Sequence, residues 1–451
     1  MNLPSFADIN DFVRPELRRI EALIARRDLA EAARALTALG RSAPRDWRVS
    51  LIGIQLAENA GNSDAARASA KRCYEMAPEA PLAQIEWSRI LSRDGEHASA
   101  VAIARRAVTE AADDDGLILP RAVAIATAAK DWQLVNECLQ KAHRAQPQDL
   151  TVVRTLGFNA LCRGELDEGI AWYERCLQAD GHDELALSGK SWALLQKGEL
   201  AAAARGYAVL VQQHPGSAEY DYFRALSSGE TPSAMPSSLA LRAVEGYAAR
   251  FDEWVAGTLG YDAPRRVAEI IRTAYPRNNG AVLDLGCGTG MLAACLGPLQ
   301  ASIVGVDISK TMLDQAAKRH YDRLHHCDMR DALRDTPELQ YEVIAVCDAL
   351  IYIGACDEIV REAARILRPN GLFVATFEQS DEATLVLRPT QRYAHSASYV
   401  RDVFAAAQLS EVEIEPIALR HEAGVPINGF IAYARKRRPA AASSAGAQAK
   451  R

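Results

Sequence analysis

The stretch Ala281–Leu296, AVLDLGCGTGMLAACL, runs an apolar strand into three glycines and then into a second apolar run. Gly286, Gly288 and Gly290 are spaced as GxGxG, whereas a dinucleotide-binding turn reads GxGxxG and seats a pyrophosphate on the helix that follows. The third glycine comes one residue early, and Asp284 stands at the strand end, where a carboxylate opposes phosphates. An acid ahead of a glycine turn suits a ligand with a positively charged amino group, and the glycines let the backbone approach that ligand with no Cβ in between. The next apolar run, SIVGVD, ends in Asp307, 21 residues beyond Gly286. At that spacing a carboxylate on the neighbouring strand end can accept both hydroxyls of a ribose. Two strand ends therefore bracket one nucleoside.

Working outward, AVLDLG, SIVGVD, YEVIAVCDAL and GLFVATFE are short apolar runs separated by amphipathic stretches, the alternation that a parallel sheet with crossover helices requires. With these elements in this order, the chain resembles a class I S-adenosylmethionine-dependent methyltransferase over roughly residues 241 to 435. More narrowly, it resembles bacterial predicted methyltransferases that carry tetratricopeptide repeats in front of that domain. The resemblance implies a Rossmann-like fold with a central, mostly parallel sheet. It also implies cofactor contacts from Asp284, Gly286, Cys287, Gly288 and Gly290, and a ribose site at Asp307 and Ile308. HHCDMRDAL matches the family's adenine site, which places Asp328 at the exocyclic amine and Met329 along the ring. CDALIYIG corresponds to the catalytic edge. The segments YAARFDEWVAGTLGYDAP and QRYAHSASYV share the narrower likeness, with Tyr247, Phe251 and Tyr261 expected as a lid over the cofactor.

The first half of the chain follows a different rule. Pro44, Pro78, Pro147 and Pro215 are 34, 69 and 68 residues apart, and Gly61, Gly95, Gly164 and Gly198 are 34, 69 and 34 apart. Both markers report a period near 34 with apolar helical patterns between them, which resembles the tetratricopeptide repeat: paired antiparallel helices that a small residue lets approach and a proline ends. The repeats begin near Pro44, Pro78, Asp113, Pro147 and Gly181. The central unit is degenerate, since EAADDDGLILP replaces the proline expected near Asp113 and AAKDWQLVNECL replaces the glycine. The concave face of such an array suits a protein partner or a substrate. Trp87, Trp132, Trp172 and Trp192 are read as inter-helix packing rather than as a ligand stripe.

These readings divide the chain into an all-α tetratricopeptide-repeat domain (1–226), a linker (227–240) with Ser, Pro and Gly concentrated in SSGETPSAMPSSLA, a methyltransferase domain (241–436) and a basic, disordered Ala/Ser-rich tail (437–451). With 451 residues, two or more domains are expected. A formal net charge of −6 and 24% charged residues give no bias toward nucleic-acid backbones. No apolar run reaches the roughly 18 residues a membrane span needs, and the start has neither the basic nor the apolar region of a secretory signal. The nine cysteines form no CxxC pair, so reduced thiols in a cytoplasm are expected. His325 and His326 point to opposite faces of a strand and share no ion, so no metal is assigned.

Methyl transfer from a sulfonium needs alignment and exclusion of water more than strong acid or metal chemistry. A hydroxyl or ammonium acceptor also needs a base, and His395 is the first candidate because it lies in a short polar segment after the fifth strand. Asp348, at the end of the fourth strand, is the second, as an orienting group for an acceptor or as a helix cap, and it is also counted among the expected cofactor-binding residues. Glu378, at the fifth strand's end, is a further substrate-contact candidate, and Arg392, Tyr393 and His395 are the residues of QRYAHSASYV that carry the narrower likeness. The acceptor, an O or N atom on a protein or a small molecule, and the oligomeric state stay open. The alternative function is a repeat adaptor or scaffold whose second domain binds the cofactor without catalysis.

Overall fold

The computed structural model describes residues 13–248, 261–277, 279–382, 384–388, 390–422 and 425–438. The chain divides into two compact units, Met1–Leu210 and Val211–Arg451.

Among its described residues, helices are the regular elements of the first unit. Its helices pair as hairpins, such as Trp47–Asn59 with Ser63–Met76 and Leu150–Cys162 with Leu166–Ala179. The second helices begin at Leu29, Ser63, His97, Trp132, Leu166 and Leu200, intervals of 34, 34, 35, 34 and 34 residues. Gly61, Gly95, Gly164 and Gly198 end the first helices with φ of 69 to 84°, a left-handed cap that frees the next residue's N–H to reach back to the helix carbonyls. A Cβ on any of them would meet nothing within 4 Å, so these glycines reverse the chain and do not bring helices together. Close approach comes from Gly157 and Gly189, where a Cβ would press on the Tyr173 ring at 2.8 and 2.4 Å. In the degenerate central hairpin Lys130 takes the left-handed cap (φ 57°), and Asp131 caps the following helix by accepting from the Leu134 N–H. The period therefore survives the loss of its glycine. Trp87 is buried, and Trp132 and Trp172 pack against hydrophobic clusters of the array, the packing role expected of them.

The second unit is built on a seven-stranded sheet. In chain order its strands are β1 (Val282–Leu285), β2 (Ile303–Asp307), β3 (Arg323–His326), β4 (Tyr341–Val346) and β5 (Leu367–Glu378); a separate two-stranded piece, β6 (Leu385–Leu387) and β7 (Tyr393–His395); then β8 (Leu409–Glu422) and β9 (Val425–Lys436). The spatial order is β3-β2-β1-β4-β5-β9-β8, parallel through β5 and antiparallel where β9 and β8 join. β1 and β2 are buried along their whole length, as strands covered by helices on both faces must be. The strand order reverses at β1, between β2 and β4, and in open α/β sheets ligands bind at the carboxyl edge beside such a reversal. Asp284, Asp307 and Asp348 all belong to that edge.

The stretch Ser227–Ala240, expected as a linker, is packed into the second unit. Ser233 C=O accepts from the Gly354 and Ala355 N–H groups at 2.9 and 2.7 Å, and the Met235 N–H donates to Tyr352 O at 3.0 Å. Tyr222, Met235 and Tyr393 form one buried cluster, so the helix Ala218–Ser227 also belongs to this unit rather than to the array. The apolar residues inside the Ser/Pro-rich stretch override its turn-rich composition. The expected tail falls, from residue 439 on, outside the described residues. Among the described residues no helix is long and apolar enough to cross a membrane.

Candidate active site

At the carboxyl end of β1 the chain turns through three left-handed glycines, Gly286 (φ 71°), Gly288 (φ 53°) and Gly290 (φ 84°). A Cβ on Gly286 would lie 2.5 Å from the Ala349 Cβ, so only glycine lets this turn close against the segment after β4. Gly288 has open space where its Cβ would be, and it lines a crevice roofed on one side by Met235, Ser237, Ala240 and Val244. The helix Ser237–Ala248 that supplies this wall is tied down at Glu245, whose carboxylate accepts from Ser309 Oγ (2.6 Å) and Thr311 Oγ1 (2.8 Å).

Asp284 is buried at the base of the crevice. Its Oδ2 accepts from the Tyr321 hydroxyl at 2.6 Å, whereas Oδ1 has no hydrogen-bond partner among the described residues. Burial pushes the carboxyl up to about 7, the Tyr321 hydrogen bond opposing and the charge of Asp307 adding to it. An unpaired buried carboxylate oxygen is costly unless a donor or cation meets it. The ammonium group of S-adenosylmethionine is such a partner, and this oxygen is where the crevice fits the cofactor. At the end of β2, the two oxygens of Asp307 accept from the backbone N–H groups of Ser309 and Gly288, each at 2.8 Å. Each oxygen keeps acceptor capacity beyond these bonds. Burial raises the Asp307 carboxyl, with the Ser309, Gly288 and Ile308 N–H groups opposing.

Asp328, Met329 and Ile308 line the same crevice. The Asp328 carboxylate is heavily engaged: it accepts from Arg330 Nε and Nη2 at 3.0 and 2.8 Å, from the Arg330 N–H at 2.8 Å and from Ser237 Oγ at 2.5 Å. Burial works against its charge, but the Arg330 and Ser237 bonds hold the carboxyl down at about 2. Its role as helix cap and arginine partner is thus on view, beside the adenine contact that the resemblance implies.

The crevice is also lined by Tyr261, Cys347, Asp348, Ala349, Arg392 and Arg420. Asp348 holds a left-handed backbone (φ 54°), and its N–H donates to Thr376 Oγ1 at 2.7 Å. Its two oxygens accept from Nη1 of Arg420 at 3.0 Å each, while Nη2 of Arg420 is bonded to Glu378. Arg388 Nε lies 3.5 Å from the second oxygen of Glu378. Arg420 and Glu378 are 4% and 2% exposed, so this is an interior chain of alternating charge that surfaces at Asp348. Burial pushes the Asp348 carboxyl up, with Arg420 and Arg392 opposing. Burial, with the charges of Asp348 and Cys347, holds the Tyr261 hydroxyl well above its ordinary value, so it remains a donor at neutral pH.

His395 does not belong to this crevice. It closes β7, is 1% exposed, and is wedged edge-on to Phe377 and stacked on Tyr399 at centroid distances of 5.3 and 5.9 Å. Its Nε2–H donates to Gly354 O at 2.8 Å, and Nδ1 has no partner among the described residues. Burial lowers its basicity, against the opposing hydrogen bond to Gly354. The short polar segment expected there is a buried strand paired with β6, which keeps His395 out of the crevice where a base for the acceptor would have to lie. Tyr393 is likewise buried, its hydroxyl donating to Pro232 O at 2.9 Å. The Tyr247 side chain and Phe251 lie outside the described residues, whereas Tyr261 lines the crevice as expected. Sequence reasoning missed Arg420, 72 residues beyond its partner Asp348; only the β5-β9-β8 pairing brings it there. The one available signal was a lone arginine in an otherwise mixed strand, IALRHE.

Residues 282–371 match the family model of a methyltransferase domain, a shorter stretch than the resemblance read from the sequence. The ubiquinone biosynthesis O-methyltransferase of Chelativorans sp. (strain BNC1) is 28% identical over 174 residues, 34% of this chain and 68% of that protein. Methyltransferase-like protein 27 of Homo sapiens is 31% identical over 156 residues, 31% of this chain and 61% of that protein. Among solved structures, the 1,6-didemethyltoxoflavin-N1-methyltransferase of Burkholderia thailandensis, with bound 1,6-didemethyltoxoflavin and S-adenosylhomocysteine, aligns at 17% identity and a TM-score of 0.38. It covers 46% of this chain and 93% of that one.

Proposed function

We propose that this chain, whose second unit is an S-adenosylmethionine-dependent methyltransferase domain, methylates an oxygen acceptor at the Asp348 end of the crevice, and that its helical unit is a tetratricopeptide-repeat array recognising the acceptor or a partner. The observation that carries the reading is the Oδ1 of Asp284, buried without a hydrogen-bond partner among the described residues, beside a glycine turn whose Gly288 leaves open space in the crevice. The names of the curated relatives favour oxygen as the acceptor atom. The 34-residue helical hairpins with left-handed caps favour the repeat assignment.

When bound, S-adenosylmethionine supplies an activated methyl group to an incoming nucleophile. The chain's own residues have three tasks. Asp284 and Asp307 hold the cofactor's ammonium and ribose, with Asp328 and Met329 toward its base. Met235, Ala240 and Val244 cover the crevice and keep water out. Asp348 accepts the acceptor's O–H, held in one orientation by Arg420 and, through it, by Glu378. Asp348 is the crevice carboxylate that takes that proton on this reading, because His395 does not line the crevice and Asp284, Asp307 and Asp328 are given to the cofactor.

The test uses labelled S-adenosylmethionine, the full chain and a metabolite and protein extract. Label should move to an acceptor; Asp307→Ala should lose cofactor binding and transfer together, and Asp348→Asn should keep binding and lose transfer. A chain that binds the cofactor yet labels nothing would instead be a cofactor-binding adaptor.

A further inference from the structure

The helix Ser237–Ala248 is fastened at both ends to the segments that follow β2 and β3. At its first residue, Ser237 Oγ donates to Asp328 Oδ2 at 2.5 Å and accepts from Arg330 Nη2 at 2.7 Å. Two turns on, the Glu245 carboxylate takes the hydroxyl hydrogens of Ser309 and Thr311, and the Ala248 carbonyl accepts from Gln315 Nε2 at 2.7 Å. Ser237, Ala240 and Val244, at i, i+3 and i+7, form the face that lines the crevice. Another face is held by helix Ala218–Ser227, where Glu219 accepts from Ser238 Oγ at 2.6 Å and from the Arg242 guanidinium at 3.0 and 2.5 Å. Ser309 joins the helix to the ribose carboxylate. Its N–H donates to Asp307 Oδ1 at 2.8 Å, and its Oγ, having given its one proton to Glu245, accepts from the Met312 N–H at 3.1 Å. The Ser309 and Thr311 bonds hold the Glu245 carboxyl below its ordinary value, so this tie is ionised at neutral pH.

The anchors of this helix are Asp328, given to the base, and the turn after Asp307, given to the ribose. A span tied at those two places crosses a nucleoside and leaves the amino-acid part of the cofactor, at Asp284, outside its anchors. The ties are polar, and Glu245 is exposed, so water competes for them and they break without unfolding the domain. A ligand beneath the span leaves when it lifts. Bonds that add little to folding therefore act directly on how long the ligand stays. Resting on the cofactor seat proposed above, we infer that Ser237–Ala248 is a strap over the nucleoside part of S-adenosylmethionine, and that Glu245 and Ser237 are positioning residues that set its residence time. Glu245 acts through Ser309, and Ser237 through Asp328. S-adenosylhomocysteine carries the same nucleoside, so exchange of spent for fresh cofactor passes through release of the same ties.

The experiment follows release of methyl-labelled S-adenosylmethionine from the full chain during a chase with unlabelled S-adenosylhomocysteine. Glu245→Ala should release the label about 10-fold faster than the parent, and Glu245→Gln, whose amide oxygen still accepts a hydroxyl, about 3-fold faster. Thr311→Val should also release it about 3-fold faster, yet add nothing when combined with Glu245→Ala, because the bond between them is lost only once. 5′-Methylthioadenosine, which has the nucleoside and no amino acid, should lose affinity for Glu245→Ala by the same factor as S-adenosylmethionine. The melting temperature of each variant should stay within about 3 °C of the parent, as expected for an exposed carboxylate. Thr311→Val reads the same tie should Glu245→Ala fail to fold. Parent-like release in folded Glu245→Ala or in Thr311→Val, or a weakening that spares methylthioadenosine, overturns the strap. If Asp307→Ala meanwhile loses binding, the cofactor seat stands without it; if Asp307→Ala binds like the parent, the seat and the strap fall together.

Discussion

Gly61, Gly95, Gly164 and Gly198 in the helical unit and Gly286 and Gly290 in the crevice share one backbone geometry, φ between 69 and 84°. Their surroundings differ. Around the first set there is open space, and the array twice dispenses with glycine altogether, at Arg27 (φ 61°) and Lys130 (φ 57°). Around the second set a Cβ would strike Ala349 at 2.5 Å or the Arg319 and Tyr321 side chains at 2.9 Å. In the array a glycine relieves the strain of a left-handed residue, which is a small and local energy. In the crevice it also keeps two segments in contact. The same letter therefore reports a repeated reversal in one unit and a fitted cavity in the other.

The sharpest probe of this contrast lies in the charges. Arg420→Met leaves Asp348 and Glu378 buried without their partner and should cost the second unit about 3–5 kcal/mol in a denaturant titration. Arg105→Met, which removes half-exposed pairs with Asp131 and Glu137 in the array, should cost less than about 1 kcal/mol. Equal losses would break the comparison. Next in size, Gly286→Ala should destabilise the second unit by about 2–4 kcal/mol and abolish cofactor binding, whereas Gly164→Ala, with nothing near its Cβ, should cost about 1 kcal/mol.

Asp284 sharpens the comparison in another way, because its carboxyl is raised to about 7 in the folded chain. A carboxyl whose folded value exceeds its unfolded one stabilises the fold fully below about pH 4 and loses that contribution as pH climbs toward 7. Cofactor affinity runs the opposite way. The ionised form is the one that meets an ammonium, so calorimetry with S-adenosylhomocysteine should show affinity falling by up to roughly tenfold per pH unit below 7 and level above it. Asp284→Asn should bind weakly and flatly across that range; a parent chain with a flat profile would remove the carboxylate from the site. The smallest effect is expected for Lys130→Gly, a gain of about 0.5 kcal/mol as the strained cap is relaxed.

What could be read from the residues follows the range of the interactions behind them. The glycine turn is legible because its backbone constraint lies within one strand and its turn, and Asp284 and Asp307 because each stands at the end of a short apolar run, on the neighbouring strands β1 and β2. The period of the array is legible because each hairpin repeats the same short-range cap, and it holds at Lys130 because the cap geometry, not the glycine, is what recurs. The acceptor end is another matter. Arg420 reaches Asp348 through two antiparallel strands whose order nothing local dictates. His395 looks polar and exposed among Ser and Tyr residues, yet three residues of strand pairing and the Phe377 ring bury it. The stretch 227–240 failed for the same reason, since Met235 finds its partners, Tyr222 and Tyr393, on either side in sequence.

The hairpin of β8 and β9 delivers Arg420 as part of the sheet's antiparallel margin, outside the parallel strands that seat the nucleoside. On the function proposed above, choice of acceptor and possession of the cofactor are therefore housed in separable pieces of chain. Exchanging this margin between related proteins, together with the counter-residue at position 378, offers a way to retarget the enzyme while its cofactor seat is inherited untouched.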